Sequence, residues 1–260
     1  MSPPAAAVGE TLWLAAGGLR LKVETFRSAS IGSTPTLILV LHGDSPFRPP
    51  SYQYLFAREA AAQLNNVVVA ALLRPGYCDG TGDCSAGERG LTTGDNYTLE
   101  VIHAVAEVVE QLKQRYRASM ALVVGHSGGA AIAADLIGTA PSAVQGALLI
   151  SCPCDLAAWR KHMFERQDEN PIWLQPITSL SPMDLAEKVS NRMHVRLLVG
   201  SEDPVAPPGL TNEYAEALGR HGVEAAVVIA PRLEHNILLE PIAYEQLKIL
   251  LETAEKDAPH

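Results

Sequence analysis

Ala121-Leu122-Val123-Val124-Gly125-His126-Ser127-Gly128-Gly129-Ala130-Ala131-Ile132 decides how this chain folds. The run Ala121 to Val124 is apolar without alternation, which marks a strand buried on both faces. The G-x-S-x-G at 125–129 then passes without a spacer into a helical pattern over Gly128 to Ile137. So tight a strand-to-helix turn strains the serine backbone and admits only small neighbours, here Gly125, Gly129 and Ala130. Ser127 is thereby presented at the carboxyl edge of a sheet, where a helix N-terminus favours developing negative charge. The plain alternative is a glycine-rich packing turn with an incidental serine. A chance match seldom falls on a strand–helix junction, which argues against it.

Outward from this junction the pattern repeats. Thr36 to Leu41 and Val67 to Leu73 are continuous apolar runs, with a helix predicted between them at about Tyr52 to Leu64. A helix near Thr98 to Arg115 carries Val101, Val105, Val108 and Leu112 on one face. Downstream come strands at Ala147 to Ile150, Val195 to Val199 and Ala225 to Ile229, and helices at Leu210 to Arg220 and Ile242 to Ala254. Upstream, Thr11 to Leu14 and Leu19 to Phe26 flank Ala15-Ala16-Gly17-Gly18, a hairpin signal. Short buried strands alternating with helices predict an α/β fold: a mostly parallel central sheet entered by an antiparallel hairpin, with helices on both faces. One domain is expected over 1–260, with the irregular Asp155 to Met193 as the only piece long enough for a small cap.

Composition narrows the function. With 260 residues, 47% of them hydrophobic, the chain can bury a large core and is not disordered. The 29 acidic against 20 basic residues leave a formal charge of −9, and no Lys/Arg cluster stands out, so nucleic acid is not an expected partner. The longest charge-poor stretch, Ala118 to Cys154, is interrupted by glycines, Pro141 and Asp135, so no membrane span is expected. Four cysteines are too few for a disulfide scaffold, and the start MSPPAAAVGE has neither a basic nor an apolar leader region. A cytoplasmic protein is the expectation, or a secreted one whose signal has been removed.

A serine hydroxyl is a poor nucleophile until a base takes its proton and a carboxylate holds that base. Of the eight histidines, His235 lies in the loop after the last strand, at the sheet's carboxyl edge. Asp203, in Gly200-Ser201-Glu202-Asp203-Pro204, follows the preceding strand and is the leading acid; Asp155 and Glu202 are its rivals. His42-Gly43-Asp44 closes the first long buried strand. The backbone N–H groups of Asp44 and Gly128 are candidate oxyanion donors. His42 itself is expected to be a structural histidine of that loop.

With these motifs in place, the sequence resembles an α/β-hydrolase-fold serine hydrolase of the esterase, lipase and peptidase superfamily, from about Leu12 to Leu251. His42-Gly43-Asp44 resembles the family's oxyanion loop, Arg74-Pro75-Gly76-Tyr77 the loop after its fourth strand, and Gly125 to Gly129 its nucleophile elbow. Gly200-x-x-Asp203 followed by Pro207 is similar to its acid loop, and the order Ser127, Asp203, His235 is the family's order. The resemblance implies a hydrolase that cleaves carboxylic esters on a small-molecule substrate through an acyl enzyme. It implies no cofactor and no metal. A peptidase or amidase using the same residues is the enzymatic alternative, and a non-catalytic binding module the remaining one.

The loop after Tyr77 runs on to about Asn96, rich in glycine, and reads as flexible. Within it, Cys78 and Cys84 lie at a separation that a disulfide could bridge, which would point to an oxidising compartment; the sequence leaves open whether they pair. Cys152-Pro153-Cys154 lacks the spacing of a zinc or redox motif, so Cys152 is expected to be a small core residue. Phe47, Tyr77, Trp159, Met163 and Trp173 are candidate walls of a substrate pocket; the last three serve equally well as the core of a cap.

Overall fold

A computed structural model describes residues 8–257. The start before Val8, on which the expectation about a leader rests, and His260 lie outside the described residues. The strands are β1 (Val8–Ala16), β2 (Leu19–Arg27), β3 (Thr36–Leu41), β4 (Val67–Leu72), β5 (Met120–His126), β6 (Gly146–Ile150), β7 (His194–Gly200) and β8 (Ala225–Ala230). The helices are α1 (Tyr52–Gln63), α2 (Leu99–Tyr116), α3 (Gly128–Thr139), α4 (Leu156–Arg166), α5 (Pro182–Leu185), α6 (Pro208–Arg220) and α7 (Pro241–Lys256).

All eight strands form one sheet in the order β1-β2-β4-β3-β5-β6-β7-β8. β1 and β2 pair antiparallel, β2 joins β4 antiparallel, and every later pairing is parallel. This is the mostly parallel sheet with an antiparallel hairpin entry that the sequence predicts. The unbroken apolar runs of β3 and β4 are buried at every position, since helices cover both faces. On one face α2, α3 and α6 pack with Val105, Ile132 and Leu218 in the main cluster. On the other, α1 and α7 bring Phe56, Leu247 and Leu250 against Ile38, Val69 and Leu148.

Two expectations need correction. The stretch Asp155 to Met193 is not irregular: it holds α4, whose first turn is capped by the Asp155 carboxylate accepting from the Ala158 N–H at 2.9 Å, and the short α5. Cys152 is the buried core residue expected, but it is not free. It is disulfide-bonded to Cys154, because Pro153 turns the chain so that the two Cα atoms lie 5.1 Å apart. Cys78 and Cys84 are bonded as well, so among the described residues no cysteine is free.

The loop that reads as flexible is tied down along its length. The Lys22 ammonium, buried on β2, donates to Asp79 at 2.7 Å and to Asp83 at 2.8 Å, and the Tyr54 hydroxyl donates to Asp79 at 3.0 Å. The Ala86 N–H donates to the Arg20 carbonyl, and the Asp95 carboxylate accepts from the N–H groups of Leu91 and Thr93. Arg160 of α4 then donates to the carbonyls of Thr93, Trp173 and Gln175, clasping the loop to the segment 155–193.

Candidate active site

The turn between β5 and α3 has the strain its sequence requires: Ser127 sits at φ 53° and ψ −123°, a region a side chain rarely occupies. Its neighbours are small of necessity. A Cβ at Gly125 would strike Gly129 and Ala130, and one at Gly129 would strike the carbonyls of Leu41 and His42 at the end of β3. Gly200 plays the same part on β7, where a Cβ would strike the carbonyls of Leu233 and Glu234. That close approach brings the Asp203 loop against the loop that carries His235.

The structure brings Ser127, His235 and Asp203 together in one hydrogen-bonded chain. The Ser127 Oγ lies 2.9 Å from His235 Nε2, and His235 Nδ1 lies 2.9 Å from Asp203 Oδ2 and 3.0 Å from Oδ1. Burial opposes charge on the Asp203 carboxyl. The hydrogen bonds from His235 and from the N–H groups of Ala206 and Val205 outweigh it and hold the group below its ordinary range. An ionised Asp203 only accepts, so Nδ1 carries the imidazole proton and Nε2 is left bare to receive the Ser127 proton. The rivals for the acid are elsewhere: Asp155 caps α4, and Glu202 is exposed.

Asp44 lies against Gly128, where any Cβ would collide with the Asp44 carboxylate and the Tyr97 hydroxyl. Its side chain is held from three directions, by Arg74 Nη1 at 3.0 Å, the Tyr77 hydroxyl at 3.2 Å and the Tyr97 hydroxyl at 2.8 Å. Burial and the Asp44 charge raise the pKa of Tyr97, and burial likewise that of Tyr77, so both phenols remain donors. His42, fully buried, is the structural residue the sequence suggests. Its Nε2 accepts from the Arg74 N–H at 3.0 Å, so its Nδ1–H donates to the Gly43 carbonyl at 2.7 Å. That carbonyl belongs to the same peptide unit as the Asp44 N–H, so His42 fixes the direction in which this N–H points. Among the described residues neither the Asp44 nor the Gly128 N–H has a protein acceptor.

The remaining candidates divide. Trp159, Met163 and Trp173 are 4%, 5% and 6% exposed and belong to the main core cluster. The two indoles meet edge to face at 5.2 Å, and their N–H groups go to the Val205 carbonyl and Gln167 Oε1. They pack into the core under the 155–193 segment. Tyr77 is buried beneath Asp44, whereas Phe47 projects from the loop after β3 at 93% exposure. Sequence reasoning did not single out Tyr52, Tyr97 and Ser151, whose hydroxyls meet this site from three different elements. No local pattern marks them, because each is brought in by the fold.

An alpha/beta hydrolase family model matches residues 38–247. The chain belongs to that family. Among solved alpha/beta hydrolase structures it resembles the Pyrococcus horikoshii acylaminoacyl peptidase at a TM-score of 0.73, 13% identical over 98% of this chain and 42% of that one. A Pyrococcus furiosus esterase matches at 0.72 and 15% identity, over 95% of this chain and 93% of the other. A putative dienelactone hydrolase from Klebsiella pneumoniae matches at 0.72 and 13% identity, over 96% and 99%. The chain thus spans about two fifths of the acylaminoacyl peptidase and nearly the whole of the other two. A comparison with the curated protein sequences finds no match. Among the described residues no helix is long and apolar enough to cross a membrane.

Proposed function

We propose that this hydrolase cleaves small carboxylic esters, with Ser127 as nucleophile, His235 as general base and acid, and Asp203 as the carboxylate that orients the imidazole. The observation that carries the reading is that one imidazole is hydrogen-bonded to a strained serine on one nitrogen and to a buried carboxylate on the other. Ser127 Oγ attacks the ester carbonyl as its proton passes to His235 Nε2; Asp203 stabilises the imidazolium without itself taking the proton. The carbonyl oxygen becomes an oxyanion held by the N–H groups of Asp44 and Gly128. His235 then protonates the leaving alcohol, and water, deprotonated by the same nitrogen, releases the acid.

An ester is favoured over an amide because its leaving group departs with less help from the acid, so the same residues act on it more readily. The segment 155–193 is assigned as a small cap, packed around Trp159, Met163 and Trp173, within a single domain. The two disulfides support an oxidising compartment over the reducing cytoplasm expected from the sequence.

A fluorophosphonate is expected to label the protein at Ser127 alone, and Ser127→Ala to lower kcat on p-nitrophenyl esters by roughly 10⁴–10⁶ with the fold retained. Labelling at another serine, or wild-type turnover in Ser127→Ala, refutes the reading. Faster turnover of aminoacyl-p-nitroanilides than of every ester in a series of increasing acyl length assigns a peptidase instead.

A further inference from the structure

Tyr52 opens α1 and takes no part in the chemistry above, yet its hydroxyl stands between two elements of the site. The Gly43 N–H donates to it at 2.6 Å, and it lies 2.9 Å from His126 Nδ1. His126, the residue before the nucleophile, reaches in turn from Nε2 to the His235 carbonyl at 2.9 Å. The end groups fix every proton in this chain. A carbonyl only accepts, so His126 Nε2 carries the proton. Burial and the neighbouring His235 hold the His126 pKa down to about 3, so the ring is neutral and its Nδ1 is bare. Tyr52 therefore donates to Nδ1 while its oxygen receives the Gly43 N–H.

We propose that Tyr52 and His126 are positioning residues: they tie the Gly43–Asp44 oxyanion loop to the backbone of His235, so that the oxyanion donor and the base are aimed at Ser127 by one directional chain. The inference rests on the serine-hydrolase reading above. The chain passes directly beneath the nucleophile, since a Cβ at Gly43 would stand 2.8 Å from the Ser127 Cβ and 3.2 Å from the Tyr52 hydroxyl. Its far end is doubly held, because the His235 carbonyl also accepts from the Ser151 hydroxyl at 3.1 Å. At the near end it complements His42. Tyr52 grips the peptide unit before Gly43 and His42 the one after it, so the Asp44 N–H is fixed on both sides.

Tyr52→Phe removes one oxygen and keeps the ring. It is expected to lower kcat by roughly 10- to 100-fold while KM stays within about twofold, because the oxyanion donors act on the tetrahedral state and not on the bound ester. Affinity for an alkylboronic acid, which mimics that state, falls by the same factor, whereas a loss of stability alone would leave both unchanged per folded molecule. His126→Gln, whose amide can accept from Tyr52 and donate to the His235 carbonyl, keeps kcat within about threefold, and His126→Leu falls as far as Tyr52→Phe. Tyr52→Phe combined with His126→Leu is no worse than either alone, because both cut one chain. Wild-type kcat and boronate affinity in Tyr52→Phe, additive losses in the double variant, or His126→Gln no better than His126→Leu overturns the proposal. Nitrogen-15 spectra of the histidines test the chain without any substrate. They are expected to show His126 as the neutral Nε2–H tautomer, with an Nδ1 signal that shifts in Tyr52→Phe, and an Nδ1–H tautomer overturns it. If a fluorophosphonate leaves wild-type Ser127 unlabelled, the hydrolase mechanism fails while these spectra still decide the chain.

Discussion

Asp203 and Asp155 end neighbouring strands with the same side chain, and only their hydrogen bonds tell them apart. Asp203 receives His235 Nδ1 on both carboxylate oxygens, while Asp155 spends Oδ1 on the first turn of α4. Asp203→Asn keeps the shape but favours the wrong imidazole tautomer, so kcat is expected to fall by up to roughly 10⁴. Asp155→Asn leaves a side chain that caps a helix as well as aspartate does, so kcat should stay close to wild type and stability within about 1 kcal/mol. Steady-state kinetics on both variants, each verified as folded by circular dichroism, make the comparison. Equal losses would move the acid from β7 to β6. This residue-scale distinction was only partly legible in the sequence: Gly200-x-x-Asp203 marked the better acid, but what Asp155 does depended on a helix that the sequence did not reveal.

At the scale of elements, the parts that could be read were those whose burial is set by their own sequence. β3, β4 and β5 are apolar at nearly every position because both faces are covered, and the junction at Ser127 needs small residues whatever lies beyond it. α4 escaped notice because its buried residues, Leu156, Trp159, Arg160 and Met163, include a charged one. Arg160 is buried only because carbonyls from two distant segments converge on it. The loop after Tyr77 was misread for the same reason, since its glycines are local while its anchor, Lys22, lies on β2. Asp79 shows how strong that anchor is. Burial opposes its charge, yet donation from Lys22, Thr81 and Tyr54 brings its pKa down to about 2. Lys22→Met strands this carboxylate in a buried site, and such a loss costs about 3–5 kcal/mol. Lys22→Met/Asp79→Asn removes both charges and is expected to recover most of that. Urea denaturation of the two variants checks the pair, and a double variant as unstable as the single one would assign the loss to packing instead.

For the whole molecule, the imidazoles that organise the site make stability depend on acidity. His42 is fully buried and His126 is 4% exposed, and burial lowers both pKa values, that of His126 to about 3. In the unfolded chain each titrates near the reference value of about 6.5. Below that pH the unfolded state binds protons that the folded state refuses, so stability present at neutral pH is lost on acidification. Each histidine contributes a slope of about 1.4 kcal/mol per pH unit. Asp203, whose pKa is lowered, adds its own loss only below the ordinary carboxylate range of about 4, and Lys22, whose pKa is raised, matters only under alkaline conditions. Two effects run the other way. Burial and the nearby Asp184 raise the pKa of Asp135 well above the ordinary carboxylate range, so the folded state keeps a proton that the unfolded chain has already released. Acid also reduces the formal charge of −9 and with it the self-repulsion of the surface. The surface charges are solvated and screened over about 8 Å at physiological salt, and Asp135 offsets at most one histidine, so the two buried histidines set the sign. The unfolding free energy from urea titrations at 0.15 M salt is therefore expected to fall by about 1–2 kcal/mol per unit between pH 6 and pH 5. His126→Gln removes one of the two histidine contributions and should lower that slope by about 1 kcal/mol per unit. A slope that His126→Gln leaves unchanged would mean that His126 already takes up its proton in the folded state, and the chain from Gly43 to His235 would then have to be redrawn around an imidazolium.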